Sequence, residues 1–172
     1  MIEYREIVNV KKRELEKLAT VDKMTGAYNR IIFDEIIERE IVRIRRYRRP
    51  FSMLMFDIDH FKEVNDNYGH NGGDYVLRTI ADFVRENIKT LDYFVRWGGE
   101  EFLIICSDRK MDETYIVTEK IRKMAEGYIF DQVGKLTISL GVVEALDSDT
   151  EDSLLKRVDN AMYKAKREGG NR

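Results

Sequence analysis

The stretch VRWGGEEFLII, Val95 to Ile105, decides the fold. Two apolar runs enclose a pair of glycines, a pattern that predicts two β-strands joined by a tight hairpin. A hairpin tip needs glycine, but it has no use for Glu100 and Glu101 side by side, because their negative charges repel each other. Something has to offset this repulsion, and a metal ion is the first candidate.

Length and composition fit one folded domain with some chain left for an extension. The sequence has 172 residues, of which 43% are hydrophobic and 36% are charged, so it can bury a core. The formal net charge of −2 argues neither for nor against a nucleic-acid surface. The apolar runs are too short to span a membrane and no signal peptide opens the chain, so we expect a cytoplasmic protein without direct membrane contact.

Cysteine and histidine are too scarce to build a disulfide or a zinc site. Cys106 is the single cysteine, and the two histidines are scattered. A lone cysteine excludes an intrachain disulfide and favours a reducing compartment. Its position in FLIIC predicts a buried strand residue.

Residues 1–20 are charged and lack glycine and proline, which predicts a separate N-terminal helix before a domain that spans residues 21–172. Five residues recur at alternating steps of four and three, as in a coiled-coil seam: Tyr4, Val8, Lys11, Leu15 and Leu18. The seam is short, so two interpretations stay open. The helix either packs on its own domain, or it ends a longer dimerising helix, a signalling linker that follows an upstream sensor domain.

The remaining chain alternates helices and strands. After the polar break DKMTGAYN, a helix is predicted over residues 30–49, and its five C-terminal arginines are interpreted as a solvated helix end rather than a nucleic-acid patch. A short helix and a glycine-rich loop precede further helices over residues 75–88, 112–125 and 151–166. Strands are predicted in FSMLMFDID, YFVRW, FLIIC and KLTISLGVVE.

This order predicts an α+β fold with a palm-like or ferredoxin-like βααββαβ core. A central, mostly antiparallel sheet carries the core helices on one face, helices surround the sheet as a whole, and the N-terminal helix forms an extension. The two hairpin strands are expected side by side near the centre of the sheet, next to the strand that ends at Asp57.

Asp57, Glu100 and Glu101 would then converge at one end of the sheet. Three acids near one point repel strongly unless cations lie between them. Oxygen ligands without histidine or cysteine suit magnesium or manganese, and such a site suits phosphoryl or nucleotidyl transfer. The alternative is that these acids are solvated strand-end and turn residues. That alternative is stronger for Asp59, for which capping of the next helix is the simpler role.

Asn65 and Asp74 flank the glycine-rich turn of the stretch FKEVNDNYGHNGGD. An amide and a carboxylate can together match a purine edge, and guanine fits this pair better than adenine does. Spacing alone favours a plainer interpretation, in which they are a turn residue and an acid at a helix N-terminus.

Five motifs occur in the order and rough spacing of the GGDEF domain, so the sequence resembles a diguanylate cyclase from Asp22 to its C-terminus. The motifs are DKMTGAYNR, FDIDHFKEVNDNYGHNGGD, RWGGEEF, TISLGV and DNAMYKAK. The resemblance implies that residues 21–172 form a catalytic domain. It would join two GTP molecules into cyclic di-GMP with release of pyrophosphate, in a two-fold homodimer in which each 3′-hydroxyl attacks the other α-phosphate.

The resemblance also implies a metal site. Magnesium, or manganese, would be held by Asp57, the backbone carbonyl of Ile58 and Glu100. Glu101 would assist with a second ion. Glu100 would in addition act as the general base for the 3′-hydroxyl.

Six residues of the same motifs would contact the substrate: Lys62, Asn65, Asp74, Gly98, Gly99 and Lys166. The asparagine and the aspartate would read guanine, which reverses the interpretation from spacing alone. The two lysines would bind phosphates, and Lys62 would also stabilise the charged transition state. The two glycines would let the hairpin backbone approach the nucleotide closely.

Two positions depart from the family pattern. KTLD, Lys89 to Asp92, stands where the family often has an inhibitory Arg-x-x-Asp site for the product, and lysine lacks the two-pronged guanidinium that clamps a phosphate. Gly170 stands where the family usually has an arginine that helps to hold the triphosphate. Arg167 or Arg172 could take that role instead.

Three rival functions stay open: a catalytically silent GTP-binding regulatory domain of the same type, another palm-like cyclase or polymerase, and a plain dimerisation module. The intact acids Asp57, Glu100 and Glu101 argue against the silent domain. The net charge offers no nucleic-acid surface, so no nucleic-acid polymer is expected as a partner. A dimerisation module would have no use for convergent acids.

Overall fold

The computed structural model of the protein describes residues 20–172. The N-terminal helix over residues 1–20 and its seam from Tyr4 to Leu18 lie outside the described residues, apart from Thr20. Both remain predictions. Everything below concerns the domain that follows.

The described residues form these elements, in chain order: α1 Arg30–Tyr47, β1 Phe51–Ile58, α2 Phe61–Asn87, β2 Tyr93–Arg96, β3 Glu101–Ser107, α3 Met111–Gly127, β4 Ile129–Phe130, β5 Gly134–Lys135, β6 Ile138–Glu144 and α4 Glu151–Arg167.

The main sheet has four strands in the spatial order β2-β3-β1-β6, and every neighbouring pair is antiparallel. The predicted α+β class with an antiparallel sheet is confirmed. The hairpin is not central as a whole: β3 lies inside beside β1, whereas β2 lies at the edge, where Tyr28 bridges to Val95. The hairpin tip still lies beside the end of β1, because Asp57 faces Glu101 across the β1–β3 pair.

Helices cover both faces of the sheet, which is why β1 is an unbroken apolar run rather than an alternating one. Leu54 and Phe56 point into one core together with α2 and α3. Met53 and Met55 point into a second core together with α1 and α4. The core helices α2 and α3 therefore share one face of the sheet, as expected, and α1 and α4 cover the other face.

The helix α2 runs through the stretch predicted as a short helix, a glycine-rich loop and a second helix. Gly69 is the residue that leaves the helical conformation, with φ 70° and ψ 178°, and it kinks the helix. The predicted loop over residues 69–74 is wrong beyond this kink. Two glycines after the kink let the side chains of Tyr68 and Asn65 pack closely: a Cβ at Gly72 would lie 2.6 Å from Tyr68 Cβ, and one at Gly73 would lie 2.1 Å from Asn65 Oδ1.

The small hairpin of β4 and β5 is absent from the sequence prediction. Each strand has only two residues, so neither shows a measurable hydrophobic period. As a consequence β6 begins at Ile138 rather than at Lys135.

The strand β6 packs directly on the backbone of α4. A Cβ at Gly141 would lie 2.4 Å from the Met162 backbone nitrogen and 2.5 Å from the Val158 carbonyl oxygen. Only glycine permits this approach, and it fixes where the last turn of α4 meets the end of the sheet.

The arginine-rich end of α1 is bound within the domain. Arg43 and Arg49 form ion pairs with Asp108, Arg48 pairs with Asp147, and Arg45 donates to backbone carbonyls. These contacts hold four of the five arginines against acidic side chains and backbone carbonyls of the domain itself. None of the described helices is both long enough and apolar enough to cross a bilayer.

Candidate active site

Asp57 lies at the end of β1, where the sheet meets the last turn of α4. It is only 5% exposed, and it faces Glu101 on one side and Ser139 on the other. Its Oδ1 accepts from the Lys166 ammonium at 2.8 Å. The register of three strands and the packing of α4 therefore bring these two predicted site residues together.

The charge of Asp57 is held in an unfavourable place. The pKa of Asp57 is raised to about 6: burial is the largest cause, the contact with Lys166 opposes it, and the nearby charges of Glu100 and Glu101 add to it. A buried carboxylate near two more acids is stabilised in its charged form by a cation. Lys166 is such a cation in this structure, and its single charge does not cancel the effect.

Glu100 and Glu101 are carried by a closed turn between β2 and β3. The backbone N–H groups of Trp97 and Gly98 both donate to the Glu101 carbonyl, at 2.8 and 3.1 Å. A Cβ at Gly98 would lie 3.0 Å from Glu101 Oε2, whereas at Gly99 it would meet open space. A side chain at the first position would therefore displace the Glu101 carboxylate, whereas the second position is open for a ligand to approach.

The predicted metal ligands share one chemistry, since each is an oxygen: the side chains of Asp57, Glu100 and Glu101, and the carbonyl of Ile58. Within residues 20–172, no group of three or more histidine, cysteine or acidic side chains is gathered closely enough to hold a metal ion. The three acids are near enough to affect one pKa, but they do not form a closed cluster. This donor set fits magnesium, which usually takes one or two protein carboxylates and completes its shell with water and phosphate oxygens.

Asn65 and Asp74 lie on the two arms of the kinked helix α2. The close approach of Asn65 to Gly73, the neighbour of Asp74, brings the two arms together. Both side chains are half-buried, whereas Lys62 in the first turn of α2 is exposed to solvent. An amide and a carboxylate held on the two arms of a kinked helix can together bind the edge of a planar ring.

Sequence reasoning missed a link between the start of the domain and the hairpin. Asp22 accepts from both the backbone and the hydroxyl of Thr25, at 2.9 and 2.6 Å, and from Arg96 at 3.1 Å. Arg96 in turn donates to the carbonyls of Gly98 and Gly99, at 3.3 and 2.8 Å. The stretch DKMTGAYN therefore does more than break a helix, because it braces the turn that carries the glutamates.

Asp59 does not cap the next helix, contrary to expectation. The N-cap position of α2 is His60, with φ 58° and no side-chain capping bond. The Asp59 carboxylate instead accepts from Thr137, from Ser139 and from the backbone of Asn171, at 2.7, 2.6 and 3.1 Å. No sequence signal indicated this role, since Ser139 lies on β6, Thr137 directly precedes that strand and Asn171 lies near the end of the chain.

The Lys89–Asp92 segment is closed to solvent at its acidic end. The Asp92 carboxylate accepts from Arg109 at 2.6 Å and from the Lys89 backbone at 2.7 Å. The side chains of Arg109 and Asp92 are only 3% and 1% exposed. Burial raises the pKa of Asp92, and Arg109 opposes that shift. An internal arginine thus occupies the carboxylate that a product-binding site would need.

Gly170 lies against Asp59 in the turn that follows α4. Its φ is +72°, and a Cβ there would lie 3.1 Å from Asp59 Oδ2. This backbone favours glycine, so an arginine could not be introduced without strain. Two arginines were expected to take the role of the family's arginine. Arg167 is exposed, and the Arg172 guanidinium forms an ion pair with Glu168, with 3.4 Å between Nη1 and Oε2.

Comparison with known proteins agrees with this architecture. A family model described as the diguanylate cyclase GGDEF domain matches residues 19–172. The response regulator PleD from Caulobacter vibrioides is 37% identical over 161 residues, which cover 90% of this chain and 36% of PleD. The diguanylate cyclase DgcM from Escherichia coli is 35% identical over 161 residues, which cover 94% of this chain and 39% of DgcM.

Solved structures share the fold. The structure of the coiled coil and GGDEF domain of DgcB from Caulobacter crescentus, in complex with c-di-GMP, superimposes with a TM-score of 0.86 at 26% identity. It covers 99% of this chain and 93% of the DgcB chain. The chain spans well under half the length of the curated relatives PleD and DgcM. The match to the family model over nearly all of the described residues settles the relationship, and the chain belongs to the family of diguanylate cyclase GGDEF domains.

Proposed function

We propose that this domain is a diguanylate cyclase, which condenses two GTP molecules into cyclic di-GMP with release of pyrophosphate. The observation that carries the proposal is Asp57, a buried carboxylate whose pKa rises to about 6 through burial and the charges of Glu100 and Glu101. Such a site stabilises a cation and, with it, phosphate groups. The relatives named as diguanylate cyclases support the assignment.

Asp57, the Ile58 carbonyl and Glu100 would hold the magnesium ion, or manganese in its place, and Glu101 would contact a second ion. When bound, such ions supply charge that stabilises the attacking and leaving oxygens of a phosphoryl transfer. The same acids that repel one another in this structure would then be neutralised together.

The remaining site residues would bind and orient the nucleotide. Asn65 and Asp74 would accept from and donate to the guanine edge across the kink of α2. Lys166, which lies 2.8 Å from Asp57, can exchange that carboxylate for the triphosphate when a divalent cation binds there. Lys62 would approach the phosphates from the first turn of α2. The open position at Gly99 leaves room for the nucleotide against the hairpin.

In the reaction, the 3′-oxygen of one GTP forms a bond to the α-phosphorus of the other, and the bond from that phosphorus to the pyrophosphate oxygen breaks. Glu100 would accept the proton of the 3′-hydroxyl. The exchange happens twice, so two pyrophosphates leave for each cyclic di-GMP. Positioning of the two nucleotides and neutralisation of their phosphate charge would supply most of the rate.

One domain offers one nucleotide half-site, so turnover requires two domains to face each other as a homodimer. The DgcB structure contains a coiled coil next to its GGDEF domain and aligns with 99% of this chain, which supports a dimerising role for residues 1–20. An upstream sensor domain would control the approach of the two halves.

Mass analysis of the reaction product tests the proposal. The purified chain is incubated with GTP and magnesium, alongside Glu100→Gln and the matched control Glu38→Gln, which changes an exposed glutamate on α1. We expect cyclic di-GMP from the wild type and the control, and at least a hundredfold less from Glu100→Gln. GTP that binds but is not converted would identify the domain as the silent regulatory type and overturn the proposal.

A further inference from the structure

We infer that Asp59 is a positioning residue that fixes the turn after α4 and thereby holds Lys166 in place against Asp57. The inference rests on the proposed function for the identity of the ligand that Lys166 contacts. The contacts of Asp59 with the turn do not depend on that function.

The Asp59 carboxylate accepts three hydrogen bonds. Both of its oxygens are used: Oδ1 accepts from the Ser139 hydroxyl, and Oδ2 accepts from the Thr137 hydroxyl and from the Asn171 backbone. The Asp59 backbone N–H also donates to the Thr137 carbonyl at 2.9 Å. One carboxylate therefore ties the end of β1 and the start of β6 to the last residues of the chain.

The turn after α4 is also bound by α3 and by β6. Asn171 is held from its other side by α3, since its Oδ1 accepts from Arg122 and its Nδ2 donates to Glu126, each at 2.8 Å. The carbonyl of Arg172 accepts from the Leu140 backbone of β6 at 2.8 Å. The turn is thus clamped between the sheet and α3.

Backbone hydrogen bonds connect this clamp to Lys166. The backbone N–H groups of Gly169 and Gly170 donate to the carbonyls of Lys166 and Ala165, at 3.2 and 3.0 Å, and close the end of α4. Whatever holds the turn therefore holds the last turn of the helix. Asp57 and Asp59 lie two residues apart at the end of one strand, so one carboxylate meets Lys166 while the other holds the turn that follows it.

A double-mutant cycle separates positioning from simple stabilisation. Asp59→Asn replaces one acceptor oxygen with an amide donor, which opposes another donor and frees the turn. We expect it to weaken binding of GTP with magnesium about tenfold by calorimetry. In a Lys166→Met background the same change should alter binding less than twofold, because Asp59 acts through Lys166.

The same helix provides a matched control. Asp149 precedes α4 at its opposite end and also accepts three bonds, from Leu146, Ser153 and Arg157. Asp149→Asn should lower the melting temperature without weakening GTP binding. Amide exchange at residues 168–172 should accelerate in Asp59→Asn and stay unchanged in Asp149→Asn, a readout that needs no ligand.

Each outcome decides one question. Losses of GTP affinity that multiply in the double variant, or unchanged exchange in the turn, overturn the positioning role while the proposed function stands. A wild type that binds no GTP overturns the proposed function, and the role of Lys166 with it. If Asp59→Asn does not fold, Asn171→Ala releases the same turn from the side of α3 and replaces it in the cycle with the same expectations.

Discussion

Asp57 illustrates what a single residue contributes to this domain. An acid whose pKa is raised on folding, here to about 6 from an ordinary 3.8, keeps its proton in the folded state up to a higher pH than in the unfolded state. Its contribution to stability is therefore fully present below about pH 4 and is lost as the pH rises through 6. At neutral pH the charged Asp57 therefore lowers the free energy of unfolding, and the same charge is what would attract a cation.

Asp57→Asn should remove this pH dependence. In buffer with EDTA, we expect the free energy of unfolding of the variant, relative to the wild type, to rise by roughly 1–3 kcal/mol between pH 4 and pH 7. Urea unfolding at several pH values measures it, with the exposed Glu38→Gln as the control. Parallel pH profiles for Asp57→Asn and wild type would show that Asp57 is not held in an unfavourable charged form.

Asp92 supports a second prediction at this scale. Because Arg109 occupies its carboxylate in a buried pair, cyclic di-GMP should inhibit weakly or not at all through the Lys89–Asp92 segment. Inhibition curves for the wild type, Lys89→Ala and the exposed control Lys110→Ala should coincide. Tight product binding that Lys89→Ala abolishes would contradict this and would mean that the Asp92–Arg109 pair opens.

The sequence was enough to assign a residue to the candidate site where that residue belongs to a recognisable motif. It was not enough where the role depends on contacts with residues far away along the chain. The sequence patterns identify Asp57 and Lys166, and the fold brings the two within 2.8 Å. Asp59 and Arg109 could not be assigned, because their partners come from β6, the end of the chain and the segment before β2. Spacing along a chain carries no information about such contacts.

At the scale of elements, the proposed guanine site depends on the kink in α2, because Asn65 and Asp74 lie on its two arms. Gly73→Ala would place a methyl group 2.1 Å from the unperturbed Asn65 Oδ1 and push that side chain aside. We expect the affinity for GTP to fall about tenfold or more, with a stability loss of about 1–3 kcal/mol from overpacking.

Gly127→Ala is the matched control, since nothing lies within 4 Å of a Cβ at that helical position. Calorimetric titration of GTP into both variants measures the difference. Asn65→Ala in combination with Gly73→Ala should bind no more weakly than Asn65→Ala alone. Full GTP affinity in Gly73→Ala would mean that Asn65 does not contact the base.

Long elements with strong periods were predicted with their order and face correct. The helix over residues 75–88 buries Leu77, Ile80 and Val84 as expected. The helical stretch over residues 70–74, after the kink at Gly69, was not predicted, because glycine and asparagine signal a loop unless tertiary packing overrides them. The β4–β5 hairpin was missed because each of its strands has only two residues, too few to show a hydrophobic period.

At the scale of the whole molecule, activity should depend on the association of two domains. Leu15→Asp combined with Leu18→Asp would place charges in the predicted seam of residues 1–20. We expect the protein concentration that gives half-maximal turnover per domain to rise at least tenfold, because the dimer forms less readily. Glu14→Gln and Glu16→Gln together provide a control on the same helix. Unchanged kinetics would exclude the seam as the dimerising element.

The most direct measurement is a crystal structure with a non-hydrolysable GTP analogue and manganese, read by anomalous scattering. The prediction is a manganese peak within roughly 2.1 Å of an oxygen of Asp57 and of an oxygen of Glu100, with Lys166 moved onto the phosphates. A peak elsewhere, or carboxylates at positions 57 and 100 that point away from each other around the bound nucleotide, would contradict the proposed cyclase site.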